Sequence, residues 1–409
     1  MIVQIYLYKF LSRGEVDMKE KNNDQTKEKK KSIDIKALMN TDLGTLKAKL
    51  SKGLKKANKI SAPEKKRKVV AFDIGSSMIK IVEGMYYKEE LTIDKYITMK
   101  TPKGAVVDGE IKRSEELFNK LGQVLKENGI KAKYGICTTN STLIINREIL
   151  VPKVEEEEMD TVVRYEIQQY LPINLEDYIL QVQVLSEEEI NESKKLNVRV
   201  IAYPDKIARG YYDLLIKLDL KPYALDVNYN AINKFINCVD KNNEYEYNPE
   251  DSVAFIDMGA SFIDVNIYKN GNLDFTRMIK AGGNDIDELL IEQNLIKAEE
   301  VEGFKIRNID LEEPFEPINI HVREITDDWT EKIEKIIQFY KNKNMGEEVS
   351  SIVIFGGSSK LKGMDNYMTE KLGIKTIRRK GLSKIAFKSS DDGKRIDDFI
   401  NVIGSVIRL

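Results

Sequence analysis

Histidine is all but absent from this chain: His321 is the only one in 409 residues. A HExxH zinc site needs two imidazoles and is excluded, and a Ser–His–Asp triad, which would have to use His321, is nearly so. Cysteine is almost as scarce. Cys137 and Cys238 stand alone with no CxxC pair, which excludes a cysteine-built zinc or iron–sulfur site and fits a reducing compartment. Long apolar runs are missing too: no stretch approaches the roughly 18 residues that a spanning helix needs. Any chemistry must therefore run on carboxylates, backbone amides, lysine and bound ions.

Net charge is also nearly absent, at −2, but the total hides a division. Residues 1–68 carry 19 Lys and Arg against 8 Asp and Glu, a net of +11, which leaves −13 for the rest. The acidic body argues against non-specific nucleic-acid binding by the folded part, and no nucleic-acid partner is expected. In the basic arm, the run Ile2–Leu11 is broken by Gln4 and Lys9 and lacks a basic leader and a small-residue cleavage site, so it does not read as a signal peptide. Met18 opens a more ordinary start, and residues 1–17 are expected to be a start-site artefact. The polar stretch Lys19–Lys31 is expected to be disordered.

Farther along the arm, Leu43, Leu46, Leu50 and Leu54 form one stripe of a helix over 42–59, which Thr41 or Asp42 can cap. Lys47, Lys49, Lys52, Lys55, Lys56 and Lys59 fill the rest of its surface. Two readings stay open. The helix lies on an anionic membrane leaflet, each lysine contributing about 1 kcal/mol, or it is a nascent helix in a solvated tail.

The body begins at Val69. Strands are expected at 69–74, 78–83, 91–99, 135–138, 142–149, 178–185, 198–202, 253–257, 262–268, 273–278 and 352–355. Helices are expected at 114–128, 155–170, 206–217, 284–295, 298–304, 322–342, 363–372 and 396–408. The mixture reads as α/β, helices packed on sheets, and the length suggests two to three domains at roughly 150 residues each.

An internal repeat is the most informative feature. VAFDIGSSMIKIVE (70–83) and VAFIDMGASFIDVNI (253–267) share Asp73/Asp257, Gly75/Gly259, Ser77/Ser261 and Ile79/Ile263. In each, an apolar strand ends in Asp, turns through Gly, and returns as a second strand. Glycine lets the backbone approach an anion without a β-carbon in the way, and successive turn amides and hydroxyls can bond phosphate oxygens. An Asp beside phosphates binds Mg²⁺ through water, because that ion gives up its shell reluctantly. Two such hairpins face to face would grip a phosphate chain from both sides. A third element, SIVIFGGSSKLKG (351–363), reads as a buried strand, a Gly-Gly turn and a helix start. It is neither a Walker A motif nor GxGxxG; Gly356 and Gly357 would let backbone pack on a base or ribose, and the helix dipole adds positive potential.

In this order, DIGSSMIK, DMGASFID and IVIFGGSSKLKG resemble phosphate 1, phosphate 2 and adenosine of the actin-like ATPase superfamily. Within it, residues 68–409 resemble the PilM family of type IV pilus assembly proteins, relatives of the division protein FtsA. VVRYEIQQYLPINLEDYILQVQVL (162–185), the stretch 198–227 and FINVIGSVIRL (399–409) carry the likeness outside the nucleotide motifs. The resemblance implies an actin-like fold: two lobes of mixed sheets with helices around a central nucleotide cleft, and an inserted subdomain. It divides the chain into an arm (1–67), a first subdomain (68–105, completed by 221–250 and 380–409), the insert (106–220), a second subdomain (251–282 with 346–379) and a small outer subdomain (283–345).

The cofactors implied are ATP and Mg²⁺. Asp73 and Asp257 would hold Mg²⁺ through water. Gly75, Ser76, Ser77 and Lys80 would hold one side of the phosphates, Gly259 and Ser261 the other. Gly282 and Gly283 would line the site, Glu302 and Lys305 contact the nucleoside, and Gly356, Gly357 and Ser358 pack on adenosine. The Glu302–Lys305 pair also reads as an ordinary helical salt bridge. One departure stands out. Where actin-like ATPases carry a Glu or Gln that positions the attacking water, this chain has Asn228, with Asp226 two residues away as a substitute if the register allows. An amide can orient water but cannot take its proton, so hydrolysis is expected to be slow at most.

By the same resemblance, the protein is a cytoplasmic scaffold, peripheral at the inner face of the membrane. It would bind the cytoplasmic N-terminal peptide of a PilN-like membrane protein between the insert and the first subdomain, with a pilus assembly ATPase as a further candidate partner and residues 42–59 as a candidate contact with anionic membrane. Tyr165, Tyr170 and Leu171, ahead of Pro172, either anchor such a peptide or pack the insert's core. The alternatives are an FtsA-like filament former and a sugar kinase or chaperone-type ATPase of the same fold. His321 is expected at the surface, Trp329 in a core, and Glu155–Glu158 in the first turn of a helix, where they favour its dipole.

Overall fold

The computed structural model describes residues 66–409 except 156, 171–172, 191–192, 240–247, 249, 293–295, 298–299, 314, 379–385, 388–395 and 409. The arm, with its expected helix at 42–59, lies outside the described residues, as do Leu171 and Pro172. In chain order the elements are β1 (Val69–Ile74), β2 (Met78–Tyr87), β3 (Glu90–Lys100), β4 (Val106–Val107), β5 (Glu110–Ile111), α1 (Ser114–Glu127), β6 (Tyr134–Thr139), β7 (Ile145–Pro152), α2 (Met159–Tyr170), β8 (Tyr178–Ile190), β9 (Ser193–Pro204), α3 (Asp205–Lys217), β10 (Lys221–Val227) and α4 (Asn228–Val239). The second half continues with β11 (Ser252–Met258), β12 (Ile263–Lys269), β13 (Asn272–Ile279), α5 (Gly283–Glu292), α6 (Val301–Asn308), α7 (Pro317–Lys343), β14 (Val349–Phe355), α8 (Met364–Leu372), β15 (Thr376–Arg378), β16 (Ala386–Phe387) and α9 (Ile400–Val406).

The sequence repeat is a fold repeat. The first lobe's sheet runs β10-β6-β1-β2-β3-β16 and the second lobe's runs β13-β12-β11-β14-β15. In both, the leading strand starts an antiparallel meander of three, and two later strands add in parallel on its other side. β1 is buried along its whole length, and so is β11, which is why VVAFDI and SVAFIDM read as continuous apolar runs rather than alternating ones. Each carries one charge, Asp73 or Asp257, near its C-terminal end. The β12–β13 turn uses Asn270-Gly271 with φ of 52° and 70°, the pairing that a tight hairpin favours because both central residues need the left-handed region.

The insert is smaller than expected. Its own antiparallel sheet, β7-β9-β8, carries α2 on one face, with Val163 and Ile167 packed on Val151, Val198 and Val200. That unit spans 145–204. The expected insert of 106–220 must be corrected, because β6 is a central strand of the first lobe, hydrogen-bonded to both β1 and β10; α3 packs on α1 and β10. The stretch Ile136–Thr139 is buried and lacks any motif to mark it as sheet core. The stretch expected as an outer subdomain, 283–345, packs closely on the second lobe. Val301, Val322, Trp329, Ile333 and Tyr340 join Ile256, Val265 and Ile354 in one core, so these helices cover the second sheet.

Other differences are local. α4 is a helix beyond those expected, with Asn228, Asn230 and Asn233 buried among its apolar residues. α2 starts at Met159, so Glu155–Glu158 precede it; Glu158 donates its amide to Glu155 O and accepts from Val162 N. No described helix is long and apolar enough to cross a membrane.

Candidate nucleotide cleft

The two repeated hairpins have the same local geometry. Gly75 N donates to Met78 O at 3.1 Å and Gly259 N donates to Phe262 O at 2.9 Å. A β-carbon at either glycine would stand under 3 Å from that same carbonyl, 2.9 Å at Gly75 and 2.8 Å at Gly259, so only glycine fits the turn. The hairpins meet: Ser76 Oγ lies 2.9 Å from Ser261 Oγ across 185 residues of chain. Thr101 braces the first turn by donating from its hydroxyl to Gly75 O and from its amide to Ser77 O, each 2.8 Å. Ser77 itself has an exposed side chain.

The second turn is the hub. Gly259 O accepts from Gly283 N at 3.1 Å and from Ser358 Oγ at 2.9 Å. Asn284 donates to Ala260 O from its backbone and to Ser261 Oγ from its side chain, 3.0 Å. Gly282 has no room for a side chain, since a β-carbon would meet Gly259 O and Ala260 O at 2.6 Å. Its amide donates to Asp285, which also accepts from Trp329 Nε1 at 3.2 Å. Trp329 is therefore a buried core residue that also fixes the loop. Gly356, at φ +90°, approaches so closely that a β-carbon there would lie 2.4 Å from Asp257 Oδ1, while Gly357 faces open space. The three motifs thus converge on one place.

Charged groups of both signs gather there. Lys80 Nζ lies 3.3 Å from Asp73 Oδ2. Burial works against its charged form, but the carboxylates of Asp73, Asp257 and Asp398 outweigh that and raise its pKa. Burial also raises Asp257, opposed by Lys80 and by a hydrogen bond from Asn401. Asp73 pairs in register with Lys80. At the equivalent place in the second hairpin Asp257 pairs with Asp264, a residue that sequence reasoning missed although the aligned repeat sets it beside Lys80. Asp264 is buried, takes a 2.9 Å hydrogen bond from Asn140 of the first lobe, and leaves Oδ1 without a partner. Burial first, then Asp257, pushes its pKa to about 7, with Asn140 acting the other way.

Residues 71–399 match the family described as type IV pilus assembly protein PilM. The chain belongs to the PilM family. A solved PilM–PilN type IV pilus biogenesis complex contains a chain 21% identical to this one, with a TM-score of 0.70, covering 83% of this chain and 97% of that one. The fold is that of the actin-like ATPases. Weaker likenesses include an ethanolamine utilization protein, EutJ, from Carboxydothermus hydrogenoformans (13% identity, 89% and 98% coverage, TM-score 0.48). Another is an MreB of Spiroplasma citri bound to AMPPNP (12%, 84% and 96%, 0.46).

In this PilM-family chain the remaining site residues fall as follows. Lys305 Nζ is 2.5 Å from Asp287 and 3.1 Å from Glu302, and a β-carbon on Gly283 would be 3.7 Å from it; Lys305 therefore lies beside the Gly282–Gly283 turn, whereas Glu302 is largely exposed. Asn228 opens α4 with its Oδ1 accepting from Thr138 Oγ1 at 3.0 Å. Asp226 is a correction. Its carboxylate is buried against Lys234 Nζ at 2.5 Å and Asn230 Nδ2 at 2.6 Å, so it is committed to the β10–α4 junction and not free to orient water. His321 is half exposed on α7.

Proposed function

We propose that this PilM-family protein is a nucleotide-binding scaffold of pilus assembly, working at the cytoplasmic face of the membrane. The observation that carries the nucleotide half is the facing pair of Asp–Gly–Ser hairpins, joined through Ser76 and Ser261. ATP fits the residues present: turn amides and hydroxyls for phosphate, Lys80 for its charge, Gly356 and Gly357 for the base. Mg²⁺ fits as a hydrated ion. No group of three His, Cys, Asp or Glu that could cage a metal occurs among the described residues, while Asp73 and Asp257 accept, and the orphan Asp264 Oδ1 calls for a donor that a metal-bound water would supply. When bound, the ion neutralises phosphate charge. Ser76 and Ser261 orient the phosphate chain and Lys80 balances it. Asn228 can orient a water but not deprotonate it, and Asp226 is held by Lys234, so turnover is slow at most.

The scaffold half rests on the insert. Val163 and Ile167 point into its core, but Tyr165 and Tyr170 are 66% and 70% exposed, so the tyrosines are free to anchor a partner. The solved complex pairs a PilM with PilN, and the partner proposed here is the cytoplasmic N-terminal tail of a PilN-like membrane protein, gripped by a few side-chain anchors and backbone bonds. Hydrogen exchange with such a peptide should protect residues in 145–204 and the adjoining first lobe. Protection confined to 283–345 would contradict the reading.

A further inference from the structure

Asn401 sits on α9 of the first lobe, 2% exposed, and reaches across to the other lobe. Its Nδ2 donates to Asp257 Oδ2 at 2.7 Å, over 144 residues of chain. Its Oδ1 is buried with no hydrogen-bond partner. Both atoms hang on one amide carbon, so the orphan acceptor lies beside the contact with Asp257. A buried acceptor left empty is an exception that calls for a reason. The side chain is also well held: every residue of α9 is buried, and Gly404 seats the helix directly on the backbone of Ala231.

We propose that Asn401 is a positioning residue on the cation side of the cleft. Its amide nitrogen fixes the Asp257 carboxylate, and its amide oxygen accepts a hydrogen bond from the water shell of the bound divalent cation. This rests on the nucleotide reading above and assigns a role to a residue outside the three motifs. Leucine at 401 removes both polar functions at similar size. Partners of this outer kind change metal affinity by roughly 10–100-fold.

The experiment titrates wild type and Asn401→Leu with ATP in saturating Mg²⁺ and again in EDTA. The expected result is a loss of about tenfold or more in Mg²⁺ with little change in EDTA. An equal loss in both conditions, or none, overturns the proposal. Wild type that binds ATP in neither condition overturns the nucleotide reading and this inference together. The isosteric Asn401→Asp keeps the test open if the leucine variant does not fold. It sets two carboxylates against each other, so Mg²⁺ without nucleotide should raise its melting temperature and leave that of wild type unmoved. No response to Mg²⁺ in this variant counts against the assignment.

Discussion

Replacing Gly404 with alanine sets two forces against each other. In an exposed helix the change stabilises by roughly 0.5–1 kcal/mol, because glycine loses more backbone freedom on folding. Gly404, however, is where α9 crosses α4. A β-carbon there would stand 2.0 Å from Ala231 O, 2.6 Å from its carbonyl carbon and 3.2 Å from its α-carbon. All three are backbone atoms, so no side chain can swing aside and α9 itself must lift. Forcing one extra carbon into a packed core costs about 1–3 kcal/mol, and a 2.0 Å approach belongs at the upper end. The expected net is destabilisation of about 2 kcal/mol. Gly122, on α1, is the control: a β-carbon there meets only Leu218 Cδ2 at 3.9 Å, so Gly122→Ala should stabilise by roughly 0.5–1 kcal/mol. Urea unfolding of both variants gives the comparison. Because α9 also carries Asn401, Gly404→Ala should weaken Mg·ATP binding as well. A Gly404→Ala protein as stable as Gly122→Ala would refute the packing argument.

Two further predictions concern buried charge. Lys234 is buried against Asp226 and the carbonyl of Ile407, with burial lowering its pKa to about 8 despite the pull of Asp226. Lys234→Met leaves that carboxylate unpaired and should destabilise by about 3–5 kcal/mol, read by urea midpoint; a loss under 1 kcal/mol would show that the pair is not needed. For Asp264, the folded-state pKa of about 7 lies above the ordinary 3.8. The folded chain therefore holds this proton more tightly, and the group's contribution is full below 3.8 and lost as pH rises through 7. Asp264→Asn, which still accepts from Asn140, should gain melting temperature over wild type at pH 8 but not at pH 4; a pH-independent difference would remove Asp264 from the titrating groups.

The paired hairpins were legible because glycine is demanded there by backbone space, and because the pattern of glycine, aspartate and serine occurs twice. Even so, Lys80 was picked out and Asp264 was not, although they occupy equivalent places in the two meanders. Asn401 carries no local signal at all, since its partner is 144 residues away. Asp226 illustrates the opposite failure. The family resemblance set a carboxylate two residues from the water position, and only the fold reveals Lys234 and Asn230 around it. The limits of the insert were misjudged for a related reason: β6 is a short buried strand whose membership in the first sheet is decided by its neighbours β1 and β10, not by its own residues.

The proposed binding of Mg·ATP by the facing hairpins is the step on which the other readings depend. Calorimetric titration of Mg·ATP into wild type and Asp257→Ala tests it most directly, because Asp257 meets Lys80, Asn401 and Gly356 at the centre of the cleft. The account predicts saturable binding to wild type and affinity lower by roughly 10–100-fold in the variant. Equal affinity in the two proteins, or no binding by wild type, would contradict it.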